Sequence, residues 1–190
     1  MLKGKAQKKQ DALQPGSVLM AKPFWADDRY QKSVILLTEH SPEGSAGVII
    51  NKNTHTTLQL DMNDINISFP VYYGGPMHKK KIVSLHNKPQ LRGSEPIAGS
   101  ISIGSGYDVI QEIASHHNHL DLHRVRFFSG YVTWAGGQLE SEIKKGRWWT
   151  SRLNAKELFD ISADTLWSQK LISDGHLYGL FLGVPEPSLN

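Results

Sequence analysis

The sequence predicts an α+β fold in a single compact domain, with strands gathered early in the chain and most helices late. Three observations carry that prediction. Short β-branched runs punctuated by Gly, Pro, Asn and Ser recur between residues 17 and 132. Apolar residues at helical spacing are concentrated after residue 105, without the regular strand–helix alternation that builds a doubly wound sheet. A chain of 190 residues, 39% hydrophobic and 21% charged, closes around one core, burying roughly 70% of the surface its unfolded form exposes.

From the N-terminus, residues 1–14 lack periodicity and are expected to form a flexible basic arm, with order starting at Pro15-Gly16 and one domain over residues 15–190. Strands are predicted at Ser17–Met20, Ser33–Thr38, Ala46–Ile50, Val71–Tyr73, Ile82–Leu85, Ile97–Ile103 and Val125–Val132. Several are almost unbroken apolar runs, which suit strands buried on both faces. In the last, Val125, Phe127 and Tyr131 alternate with Arg124, Arg126 and Gly130 as in a half-buried strand. Ser105 with Asp108 makes a capping-box pattern that opens a helix whose apolar stripe is Val109, Ile110, Ile113 and Ala114. A second helix over Gly137–Lys145 sets Leu139 and Ile143 four apart and Glu140 facing Lys144. Two more are predicted over Ala155–Phe159 and Ala163–Ser173, the latter ending near Gly175. No internal repeat or linker is visible.

The formal charge of +3 invites a nucleic-acid reading, but its location argues otherwise. Lys3, Lys5, Lys8 and Lys9 against Asp11 supply all of it, so residues 12–190 carry 17 charges of each sign. The body is formally neutral, and a broad phosphate-binding face on it has no warrant. With no Cys, disulfide frameworks, thiolate zinc sites, iron–sulfur clusters and cysteine nucleophiles are excluded. No apolar run approaches the roughly 18 residues of a membrane span, and Asp11, Gln14, Pro15 and Lys22 interrupt what would have to be the core of a signal peptide. The expectation is a cytoplasmic protein with no membrane association.

Complete catalytic motifs are absent. There is no Gly-x-Ser-x-Gly elbow, no Walker A loop and no His-Glu-x-x-His helix. Gly104-Ser105-Gly106 sits where a dinucleotide fingerprint would, but Val109 replaces the third glycine, so a tight strand-to-helix turn accounts for it and no cofactor is expected. His116, His117, His119 and His123 are the densest set of imidazoles; Asn118 interrupts the apolar pattern there, and solvated histidines on a loop are expected rather than a metal site. Gly44-Ser45-Ala46-Gly47 reads as a strand-connecting turn, and His78-Lys79-Lys80-Lys81 as a short charged turn of the kind that is usually just solvated, with phosphate contact as the alternative. Trp148, Trp149 and Trp167 read as packing, while Trp25 beside Phe24 suits a pocket cap or a dimer contact. A scattered polar set remains: Glu39 and His40 at a strand end, Asn51 at another, His86, and Gln138 with Glu140 in the first turn of a helix. A carboxylate beside an imidazole there would serve as acid and base.

Together, Asp28-Arg29-Tyr30-Gln31-Lys32-Ser33-Val34-Ile35, Glu39-His40, Gly44, Gly47, Asn51-Lys52, Gly74-Gly75-Pro76, Leu85-His86 and the run Gly130 to Glu140 resemble the YqgE/AlgH family over about residues 15–178. Trp148, Phe159-Asp160 and Trp167 fit its later part. Thr133 departs from the glycine more usual before the Trp, which would narrow any space where backbone approaches a ligand. The resemblance implies a curved, mixed or antiparallel and partly barrel-like sheet flanked by helices, in a soluble bacterial protein. It implies little chemistry: members are commonly labelled transcriptional regulators, with no shared catalytic residues, cofactor or DNA-binding motif to carry over.

The expected function is therefore a non-enzymatic regulatory protein that binds a small molecule or a protein partner. The expected groove is lined by Asn51, Gly74, Gly75, Pro76, His86, Tyr131, Trp134, Gln138 and Glu140. Two alternatives stand beside it: a hydrolase or transferase using Glu39, His40, His86 or Glu140 as acid and base, and nucleic-acid binding through the basic arm. With no helix-turn-helix pattern, direct DNA binding by the body is not supported.

Overall fold

The computed structural model describes residues 12–23, 27–62, 65–116 and 122–176. Among them are ten strands and four α-helices. In chain order they are β1 (Ser17–Ala21), β2 (Val34–Ser41), β3 (Gly44–Ile49), β4 (Asn53–Met62), β5 (Ile65–Tyr73), β6 (Met77–His86), β7 (Ser94–Ala98), β8 (Ile101–Ser105), α1 (Gly106–His116), β9 (Val125–Ala135), α2 (Gln138–Lys144), β10 (Trp148–Arg152), α3 (Ala155–Asp160) and α4 (Ala163–Ser173). A 3-10 turn spans Asp28–Tyr30. The strands form one curled, open sheet in the order β10-β1-β2-β3-β9-β6-β8-β7, with β5 also on β9 and β4 on β5. Every pairing is antiparallel except β5 with β9. This is the predicted α+β class, with a sheet that is curved and only partly closed.

The unbroken apolar runs are explained by burial of β1, β2 and β3 on both faces. Val18, Met20, Val34, Leu36, Val48 and Ile50 enter a core shared with Leu158 and Phe159 of α3 and Leu166, Trp167 and Leu171 of α4. The alternating residues Leu19, Ala21, Ile35, Leu37 and Ile49 enter a second core closed by Val132, Trp134, Leu139 and Trp148. Leu13, within the span expected to be the arm, packs against this second core. A third cluster, with Phe69, Val71, Leu91, Val109 and Phe127, lies under α1. Trp167 ties α4 to β1 by donating its indole N–H to the Ala21 carbonyl at 3.0 Å.

Strand β9 has three partners, although a strand has only two edges. Its first part, Val125–Ser129, pairs with β6 and, from Phe127, with β5; its last part, Val132–Ala135, pairs with β3. Gly74 stands at the hand-over, donating its N–H to Ser129 at 2.9 Å and accepting from Ile49 at 2.8 Å. Backbone meets backbone there. A Cβ on Gly74 would overlap the Gly130 carbonyl, and one on Gly130, at φ +74°, would overlap the Gly75 carbonyl and lie 2.7 Å from that of Met77.

Where the predicted strands differ from those observed, the cause is local. Ile97–Ile103 is not one strand but two, because Gly99 at φ +54° lets Gly99-Ser100 close a two-residue hairpin with Ala98 opposite Ile101. β4 and β10 lie outside the predicted set, since Thr54 to Gln59 and Trp148 to Arg152 are largely polar. The first pairs within the sheet only with β5, and the second sits at the sheet's end.

Gly130→Ala is expected to lower the unfolding free energy by about 3 kcal/mol, combining left-handed strain with a backbone overlap. Urea titration measures this, and an unchanged midpoint would mean that the crossing relaxes freely.

Candidate functional site

The end of β9 and the start of α2 fold back on each other by side-chain ties. Gln138 accepts the Ala135 N–H at 3.0 Å, holding the helix start to the strand. At the other end, Gly146 at φ +76° gives α2 a Schellman-type close: Gly146 N–H donates to Ile143 at 2.9 Å and Arg147 N–H to Glu142 at 3.0 Å. The chain therefore turns back and delivers Arg147 and Trp148 beside the helix they have just left.

Glu142 is the convergence point. It is 8% exposed. One carboxylate oxygen accepts from the indole of Trp134 at 3.1 Å and that of Trp148 at 2.9 Å. The other faces the Gln138 amide at 3.3 Å and the Arg147 guanidinium at 3.3 Å. Three hydrogen bonds and an ion pair thus converge on one carboxylate, engaging both of its oxygens. Gln138 and Glu142 meet because they are four apart on one helix face.

Above this floor opens a cleft of about 680 Å³. The turn Asp27 to Tyr30 lines one side, Thr133 and Trp134 another, and Gln138, Glu142, Arg147 and Trp148 the base and far wall. Asp27 caps the 3-10 turn and takes a two-point grip from Arg29, at 2.9 Å and 2.8 Å. That hydrogen bonding holds the Asp27 carboxyl below the usual range and raises the Arg29 guanidinium. Tyr30 stands edge-on to Trp148 with ring centroids 5.8 Å apart, and burial pushes its phenol up. Lys52 donates to the Arg29 carbonyl at 2.6 Å, and burial lowers its ammonium.

One strand over lies a second polar group. His40 of β2 faces Ser45 of β3 in the ladder, and Ser45 faces Trp134 of β9. The His40 Nδ1 lies 2.8 Å from the Ser45 hydroxyl and its Nε2 lies 3.6 Å from a Glu140 carboxylate oxygen. Two of the acid–base candidates are thus paired. Glu39 neighbours His40 on an extended strand, is exposed, and pairs with Ala46 instead.

The other residues of the expected groove are placed elsewhere. Asn51 is a structural clamp, accepting the Val34 N–H at 2.7 Å and donating to the Lys32 carbonyl at 2.8 Å. Gly74 and Gly75 are buried in the backbone crossing, with Pro76 directly after them. Tyr131 stacks on His78 at 5.6 Å. His86 pairs with Val125, nine residues and roughly 30 Å along β9 from Trp134. Trp134 and Gln138 line the cleft and Glu140 stands beside it with His40, but the expected single groove is divided.

Sequence reading misses Glu142, Arg147 and the turn from Asp27 to Tyr30. The usable signal is Gln138 and Glu142 four apart in a helix flanked by Trp134 and Trp148. His117, His119, Phe24, Trp25 and residues 1–11 lie outside the described residues, among which no three His, Asp or Glu side chains are grouped to hold a metal. No described helix is long and apolar enough to cross a membrane.

A curled α+β sheet carrying a polar cleft at the end of its central strand defines the class. The chain belongs to the AlgH-like family (DUF179), whose model matches residues 18–178 and so spans every residue of the cleft. A UPF0301 protein of Bacteroides thetaiotaomicron is 32% identical over 182 residues, covering 92% of this chain and 90% of that one. Another, from Chlorobaculum tepidum, is 28% identical over 183 residues, covering 95% and 97%. The solution structure of AlgH from Pseudomonas aeruginosa superposes with a TM-score of 0.72 at 22% identity, over 96% of this chain and all of that one. A Corynebacterium diphtheriae protein gives 0.73 at 19% identity, over 91% and 93%. At these identities the two structures establish the fold.

Two outcomes test this geometry. Glu142→Gln would set an amide N–H₂ against donors on one side in either orientation and remove the negative charge facing Arg147, lowering stability by about 3 kcal/mol in chemical denaturation and changing the environment-sensitive fluorescence of Trp134 and Trp148. His86 is fully buried, its Nδ1 accepting from Lys88 N–H at 3.2 Å and its Nε2 facing the Ser94 hydroxyl at 3.1 Å. Burial pushes this imidazole down to about 4. It stays neutral in the fold while the unfolded chain protonates near 6.5, so its contribution is complete above pH 6.5 and is lost as pH falls toward 4. That loss is about 3 kcal/mol, and His86→Gln should flatten this part of the stability–pH profile measured by urea titration.

Proposed function

We propose that this protein is a cytoplasmic regulatory protein that holds a small polar molecule in the cleft over Glu142 without transforming it. The observation that carries this reading is the anchoring of Glu142 by both of its oxygens. A carboxylate held by three hydrogen bonds and an ion pair is fixed in place, so it organises the walls of the cleft and leaves recognition to the rim. The rim offers both signs of charge, from Asp28, Arg29 and Arg147, together with the Thr133 hydroxyl. A small molecule with both donor and acceptor groups suits that lining better than an apolar one. The regulatory role is supported by the absence of a complete catalytic motif and by the label commonly attached to the resembling family.

One observation favours a second reading, acid–base catalysis: the pairing of His40 with Glu140 and Ser45 at the edge of the same region. A thermal-shift screen of polar metabolites separates the two. The expected result is a ligand that raises the melting temperature of the wild type, worth about 2.7 kcal/mol at one hundred times its Kd, and does so equally for His40→Gln but not for Arg147→Met. Consumption of the ligand by the wild type and not by His40→Gln would replace the binding reading with the catalytic one. Failure of every charge class to shift the melting temperature would overturn both.

A further inference from the structure

The register between β6 and β9 jumps from Met77 opposite Tyr131 to Ile82 opposite Ser129. His78, Lys79, Lys80 and Lys81 therefore bulge out across from Gly130 alone. All four are exposed. The bulge is nevertheless held in shape. Ser129 donates its hydroxyl to the Lys79 carbonyl at 2.6 Å, and the His78 ring stacks on Tyr131 at 5.6 Å with planes 7° apart. The Lys81 ammonium lies 5.6 Å from the same tyrosine centroid. His78 sits at φ +46°, a left-handed conformation that non-glycine residues seldom adopt and that persists only where surrounding contacts impose it.

The electrostatics here are one-sided. β6 and its sheet neighbours β8 and β9 contain no Asp or Glu, and among the described residues none of the three lysine ammonium groups has a carboxylate partner. Three adjacent cations without counter-charges repel one another, and an anionic partner relieves that repulsion. Beside them is a ready aromatic surface. The cleft over Glu142 uses none of these residues, so a partner bound at the bulge is independent of the ligand proposed for the cleft.

We propose that the His78–Lys81 bulge is a docking site for single-stranded nucleic acid, with the lysines on phosphates and the His78–Tyr131 pair as a stacking surface for a base. Duplex is disfavoured by the formally neutral body, which offers no broad basic face, whereas a single strand needs only a few phosphate contacts and one or two stacked bases. This is a local patch of charge with an aromatic ring in it.

Fluorescence anisotropy of the full chain with a labelled twelve-nucleotide oligouridylate tests the proposal. Replacing Lys79, Lys80 and Lys81 together by Gln should weaken binding at least tenfold at 50 mM salt and reduce the slope of log K against log salt by about 2, at roughly 0.7 for each phosphate no longer neutralised. The same weakening should appear when Lys3, Lys5, Lys8 and Lys9 are already Gln, which separates the bulge from the arm. Tyr131→Ser should weaken binding severalfold with the salt slope unchanged, the signature of stacking. Circular dichroism and the melting temperature establish that each variant is folded, and Ser129→Ala, which keeps every charge but frees the Lys79 carbonyl, should give an intermediate weakening. Equal affinity of the wild type and the triple lysine variant would overturn the proposal, as would loss of all binding on neutralising the arm alone. Duplex bound as tightly as single strand would do the same. Displacement by polyglutamate with no effect of Tyr131→Ser would identify an acidic protein surface as the partner instead.

Discussion

The fold depends on one close approach of backbone to backbone. Strand β9 changes partners midway, and the exchange requires Gly74, Gly75 and Gly130 to pass without side chains between them. Its consequence is visible in the cores. Phe128, Val132 and Trp134 share sequence parity, and in a regular strand all would face one side. Instead Phe128 joins the core under α3 and α4, while Val132 and Trp134 join the opposite core under α2. The left-handed residue between them breaks the alternation. The cleft therefore exists where it does because Gly130 lets one strand serve two faces.

What Trp134 meets on its new face is a polar anchor inside an apolar surround. A buried carboxylate is expensive to desolvate, and apolar residues of equal volume often give equal or greater stability. The return from Glu142 is positional. A single side chain fixes two indoles from different strands, an amide on its own helix and a guanidinium just beyond the helix end. Loss of Glu142 would release all of them from a common reference point. This also divides the region: Glu142 is held by its donors, while Glu140, half exposed, meets only His40 at 3.6 Å.

The class of fold is legible in the sequence because burial on both faces leaves an unmistakable mark, as in Val34 to Leu37, and because the helices carry their own start and stop residues. Asn154 and Glu157 form a full capping box, and Gly146 ends α2. The strands that escape notice are the polar ones: in β4, Asn53, His55, Thr56, Thr57 and Gln59 are exposed and leave no apolar run to read. The site is only half legible for a different reason. Trp134, Gln138 and Glu140 sit close in sequence, so local reasoning finds them together. Asp27, Arg29 and Arg147 reach the same cleft from segments more than a hundred residues apart, and nothing in spacing announces a contact of that kind. Glycine misleads in the other direction. Gly74 and Gly75 read in sequence as lining of a ligand groove; in the structure their backbone packs against other backbone, and composition alone does not distinguish the two.

Net charge is the least informative number in this chain, and the structure explains why. Screening at physiological salt confines exposed charges to about 8 Å, so the character of a surface is decided by neighbours rather than by totals. A formally neutral body can accordingly hold a lysine bulge on strands with no acid and, elsewhere on the same central strand, a cleft in which Asp27 answers Arg29 and Glu142 answers Arg147. In the cleft Arg29 and Arg147 already face carboxylates, so a ligand bound there would have to fit the spacing of those pairs and compete with them. At the bulge they are unpaired, so a partner gains by supplying the missing charge. The first arrangement selects by geometry and the second attracts by charge, and β9, through Trp134 at one end and Tyr131 beside the glycine, carries a residue of each.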